Sequence, residues 1–107
     1  MNDKELLELA ARAFGIDVIG PMGNSGLVLF SGRRWNPLSD DGDALRLAVK
    51  LNIDISFDEE AGLVSVLSPG ASSFKSIIVE DINNDWYEAT RRAIVRAAAE
   101  IGKAMQG

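Results

Sequence analysis

At 107 residues and 47% hydrophobic, the chain is read as one soluble domain able to keep a core without disulfide or metal staples. It has no cysteine and no histidine, which excludes thiol nucleophiles, disulfides, imidazole bases, Ser-His-Asp triads and the usual Cys/His zinc sites. Its 16 acidic and 11 basic side chains leave a net charge of −5, the wrong balance for general nucleic-acid binding or for a membrane surface, both of which need clustered Lys and Arg.

The elements follow from periodicity and punctuation. Asn2 and Glu5 have the spacing of a capping box, and Leu6, Leu7, Ala10, Ala13 and Phe14 then recur with a helical period until Gly15 ends the run. Glu8 and Arg12 form an outward (i, i+4) pair worth only ~0.3 kcal/mol, so burial of the apolar stripe must stabilise this helix. Ile16 to Ile19 and Leu27 to Phe30 are apolar runs on either side of the turn-rich Gly20 to Gly26, and they predict a hairpin.

Ser39 stands ahead of a second helical pattern, with Ala44, Leu47, Ala48 and Leu51 on one face and Pro37 safely before the start. Ile53, Ile55 and Phe57 alternate with Asp54 and Ser56, predicting a strand with one buried and one wet face. That strand pairs with Leu63 to Leu67 across Asp58 to Gly62, where Gly62 supplies a positive φ. Phe74 to Val79 is a fifth strand.

The last and longest helix runs from about Asp85 to Met105. Thr90, Ile94, Ala97, Ala98, Ile101 and Met105 lie on its inner face, and the pairs Glu88–Arg92 and Arg96–Glu100 on its outer one. The order α-β-β-α-β-β-β-α over residues 1–107 predicts a single α+β domain, with three helices around a mostly antiparallel sheet of about five strands. The start, Met1 to Glu8, carries acids where a secretory signal carries a basic stretch, and no run approaches a membrane span, so a cytoplasmic location is expected.

Two segments carry a family resemblance: Trp35-Asn-Pro-Leu-Ser-Asp-Asp-Gly-Asp-Ala-Leu-Arg-Leu47 and Tyr87-Glu-Ala-Thr-Arg-Arg-Ala-Ile-Val-Arg-Ala97. The chain from about residue 30 to 103 resembles the small phage-encoded proteins of the phage ABA sandwich domain. The resemblance implies helices on both sides of a sheet, a phage origin and hence the cytoplasm of a host cell. It implies no activity.

Four groups of residues bear on chemistry. Arg33, Arg34, Trp35 and Asn36 place a guanidinium fork beside an indole face, a combination suited to a phosphorylated base; the alternative is a Trp35 that packs in the core. Trp86, Tyr87, Arg91 and Arg92 at the start of the last helix could form an interface, or a core closure and a solvated face. Asp40, Asp41 and Asp43 either cap the second helix or hold a divalent cation, and their spacing does not fit an EF-hand. The loops Gly20 to Gly26 and Ser68 to Ser73 could cradle an anion but match neither a P-loop nor a dinucleotide fingerprint.

The expected function is therefore non-catalytic. A phage accessory protein would bind a small phosphorylated nucleotide signal of host defence and remove it from solution, with no cofactor and no metal. The alternative is a protein–protein interaction module that inhibits or adapts a host or phage protein. A homo-oligomer is expected in which the alanine-rich face of the last helix packs between subunits.

Overall fold

The computed structural model describes residues 2–16, 18–21, 26–29, 31–68, 76–83 and 85–105. The elements run α1 (Asp3–Phe14), β1 (Val18–Pro21), β2 (Leu27–Leu29), β3 (Arg34–Trp35), α2 (Asp41–Lys50), β4 (Asp54–Asp58), β5 (Leu63–Ser68), β6 (Ser76–Asp81) and α3 (Trp86–Ala104). The fold is α+β in the expected order, with the two-residue β3 added after the first hairpin. Its strands divide between two antiparallel sheets, ordered β1-β2-β3 and β4-β5-β6.

Helix starts are set by local chemistry. Asn2, Asp40 and Asp85 each accept from the backbone N–H three residues on, those of Glu5 at 2.8 Å, Asp43 at 2.7 Å and Glu88 at 3.0 Å. Each such cap satisfies an otherwise orphaned donor and is worth ~1 kcal/mol. Gly15 ends α1 in the left-handed region at φ 81°, and Gly62 closes the β4–β5 turn at φ 68°.

The core is built around α3, which packs against α1, α2, β5 and β6. Its residues Ala89, Ala93, Ala97, Ala98 and Ala99 are all buried, and so are Leu6, Leu7, Ala10 and Ala11 of α1. At Gly102 the two helices meet backbone to backbone: a Cβ there would lie 1.9 Å from the Leu9 carbonyl oxygen. The alanine-rich face expected between subunits is thus buried within the chain itself.

In the second sheet, Ile55 pairs with Val66, Phe57 with Val64, and Val66 with Ile78, so these share one face, and Val64 and Val66 are buried. Asp54, Ser56, Asp58, Val79 and Asp81 on the other face are exposed. The helices thus lie on one side of this sheet, whereas the resemblance implies helices on both. Phe57 sits on the inner face as predicted yet is 56% exposed, because it lies near the end of an edge strand and meets Trp86 edge-on at 5.7 Å.

The first sheet is anchored by Trp35, which pairs with Leu27 and stacks on Phe14 of α1 at 5.9 Å between ring centroids.

Three expected surface pairs, Glu8–Arg12, Glu88–Arg92 and Arg96–Glu100, are not among the ion pairs of the described residues. The arginines of α3 instead reach other elements: Arg91 pairs with Asp41, Arg92 with Asp3 and Arg96 with Glu80. Close packing of α3 brings those acids nearer than its own exposed turns do. Among the described residues no helix is long and apolar enough to cross a membrane.

Gly102→Ala should cost at least about 2 kcal/mol by forcing the helices apart, lowering the melting temperature by roughly 10 °C. Gly20→Ala, where an added Cβ meets nothing within 4 Å, should change stability by under about 0.5 kcal/mol in the same thermal melts.

Candidate functional site

Asp43 is the buried charged residue of the described core, at 4% exposure, and it lies in the first turn of α2. Moving a carboxylate out of water costs several kcal/mol unless partners replace the water. Three donors do so. Oδ1 accepts from Arg33 Nη2 and from Arg46 Nη2, each at 2.7 Å, and Oδ2 accepts from the Asn36 backbone N–H at 3.0 Å. The start of the helix adds a favourable dipole.

The segment that brings these partners in is a compact turn. The N–H groups of Ser39 and Asp40 donate to the Asn36 carbonyl at 3.1 and 2.9 Å, and Asn36 Oδ1 accepts from the Leu38 N–H at 3.1 Å. Trp35 and Pro37, both buried, hold this turn against the core. Above Asp43 lies an open depression of about 700 Å³, walled by Arg33, Arg34, Asn36, Ser39, Asp40 and Arg46. Three guanidinium groups face two carboxylates there, a local excess of one positive charge on an acidic chain. Arg33 and Arg46 are each 54% exposed, so their remaining N–H groups face water. Arg34 is exposed and forms no ion pair with the described residues.

Of the predicted ligand residues, Arg33, Arg34 and Asn36 come together here. Trp35 does not: at 2% exposure and stacked on Phe14, its indole offers no face to a ligand. Adjacent residues of a strand point to opposite faces, so exposing Arg34 in β3 turns Trp35 inward. Arg46 was missing from the predicted set. Its only signal is the (i, i+3) spacing from Asp43 on one helix, which has meaning once Asp43 is known to be buried.

The three aspartates serve three separate contacts. Asp40 caps α2, Asp41 pairs with Arg91 at 2.7 Å, and Asp43 holds Arg33 and Arg46. Among the described residues no group of three acidic side chains is placed to hold a metal ion. Most of the two glycine-containing loops, residues 22–25 and 69–73, lies outside the described residues.

Trp86, Tyr87 and Arg91 line a second depression of about 620 Å³ between α2, β4 and α3, together with Leu45, Phe57 and Ile94. Arg92 is not part of it. Both of its Nη groups donate to the Asp3 carboxylate, at 3.1 and 3.3 Å, and these hydrogen bonds hold its pKa above the ordinary value.

No known protein family matches the chain, and no curated protein or solved structure matches it either.

Asp43→Ala would leave the Asn36 N–H and two guanidinium groups without their common acceptor and should cost ~2 kcal/mol. Asp40→Ala, which removes the cap and a long, exposed ion pair with Arg46 at 3.9 Å, should cost ~1 kcal/mol. Urea unfolding at neutral pH measures both, with the larger loss expected for Asp43→Ala.

Proposed function

We propose that the protein binds a small phosphorylated ligand in the depression over Asp43 and holds it without converting it. The observation that carries this reading is the clamp on Asp43, whose Oδ1 fixes two guanidinium groups, one from just before β3 and one from α2, at 2.7 Å while leaving each half exposed. A phosphate favours planar, bidentate donors, and arginines already held in place lose less side-chain freedom on binding it. Arg34 adds an exposed third guanidinium on the same wall.

Capture without turnover is supported by the state of the central acid, whose two oxygens are already engaged by three donors. With Trp35 buried, affinity in this depression comes from phosphate rather than from stacking a base. A nucleotide signal of host defence, in a phage-derived protein acting in the host cytoplasm, is the finer form of the proposal. It draws on the resemblance of residues 35–47 and 87–97.

Thermal melts with inorganic pyrophosphate and with a panel of linear and cyclic nucleotides test the reading. A ligand at 100 times its dissociation constant should add ~2.7 kcal/mol to stability. Arg34→Ala should reduce that gain and leave the unliganded melting point unchanged, since Arg34 has no ion pair with the described residues to lose. No rise with any member of the panel, or an equal rise in Arg34→Ala, overturns it.

A further inference from the structure

The depression between α2, β4 and α3 has chemistry unlike that of the Asp43 site. Its walls present Leu45, Phe57 and Tyr87 at 61%, 56% and 71% exposure, with Trp86 and Ile94 behind them. A volume of about 620 Å³ falls within the usual range for binding pockets, ~300–1,000 Å³. Its charged lining is Asp41, Glu59 and Arg91. Arg91 is already committed, donating to the Leu38 carbonyl at 2.9 Å and to Asp41 at 2.7 Å. Glu59 is exposed, and among the described residues it enters no ion pair. The groove is thus an apolar trough with one acidic rim.

We infer that this groove receives an amphipathic helix of a partner protein, one with an aliphatic stripe and lysine or arginine on its flanks. Two helices and a strand wall an apolar trough that can accept the apolar face of a third helix, with anchors at i, i+3 or i+4, and i+7. The acidic rim selects the flanking charge, since a helix flanked by acids would meet the Glu59 carboxylate at close range. A second copy of this chain fits poorly. The apolar faces of its own α1 and α3 are already buried against each other, and on its α2 the exposed Leu45 belongs to the groove itself, which leaves Val49 as a lone apolar anchor.

The probe is a fluorescein-labelled peptide of about four helical turns, with leucine at the anchor spacing and lysine on its flanks. It is accompanied by a scrambled peptide of the same composition and by one with glutamate in place of lysine. Fluorescence anisotropy with the full chain should give a dissociation constant on the order of 10 μM for the first peptide and at least about tenfold weaker binding for the other two.

Leu45→Ser and Tyr87→Ser, both at exposed positions, should each weaken binding about tenfold while the melting temperature stays within a degree or so of the parent. Glu59→Lys should weaken it too. Raising the salt from about 0.1 to about 1 M, which shortens the screening length from ~10 to ~3 Å, should reduce binding without abolishing it.

Equal binding of the scrambled peptide, or no effect of Leu45→Ser and Tyr87→Ser, assigns the interaction to surface charge and overturns the inference. Equal binding of the glutamate peptide overturns the charge assignment. Absence of binding by the lysine peptide overturns the inference as a whole, as does a sedimentation-detected dimer dispersed by Leu45→Ser, which would make the occupant a second copy.

Discussion

The backbone contact between α1 and α3 at Gly102 is the constraint from which the layout follows. With no side chain at Gly102 and alanine at five other buried positions of α3, the α1 axis can lie close against it. Alanine loses no side-chain entropy on burial, so this surface forms at small conformational cost. A helix of 19 residues is about 28 Å long, enough to carry α1 on one flank and the β4–β6 sheet on another. The third helix, α2, then has α3 as its principal partner. It is covered on one side only, and both depressions open along its free sides.

Local order was legible in the sequence where a short-range rule determines it. Asn2 and Gly15 bound α1, Asp85 starts α3, and Gly62 takes the positive φ of the β4–β5 turn, because each depends on atoms within a few residues. The partner of each charged side chain was not legible. Arg92 reaches Asp3 across 89 residues of sequence and Arg91 reaches Leu38 across 53, whereas helical spacing assigns Arg92 to Glu88. Phe57 shows the same limit. Alternation placed it on the correct face, and only the position of α3 decides that this part of the face stays open.

Half of the candidate site was visible for a related reason. Arg33, Arg34 and Asn36 are contiguous and form one wall, but Trp35 between them belongs to the core, since its pairing with Leu27 and its stack on Phe14 are set by distant elements. Asp43 reads as one of three acids in a helix start until the fold buries it and brings Arg33, Arg46 and the Asn36 N–H to its oxygens. Once buried, it changes the meaning of its neighbours. Half-exposed ion pairs contribute ~0–1 kcal/mol, and the desolvation of the acid offsets much of the attraction. The gain in stability from this cluster is therefore small. What it does strongly is orient: two flexible side chains, one from the strand region and one from α2, are held to a single oxygen atom.

The turn Asn36–Asp40 joins the two depressions physically. On one side its Asn36 and Asp40 wall the polar depression; on the other, its Leu38 carbonyl accepts from Arg91, which lines the apolar groove and also pairs with Asp41. Arg91 is 18% exposed, the most shielded of the three α3 arginines in ion pairs, while its partner Asp41 is exposed. This link fixes the start of α2 relative to α3 at the point where both depressions open. Rotation of α2 about its axis would move Asp43 and Leu45 together, because they lie two residues apart on a rigid helix. The geometry of the arginine clamp and the width of the groove are therefore set by one rigid body, and the Arg91 contacts hold it in place.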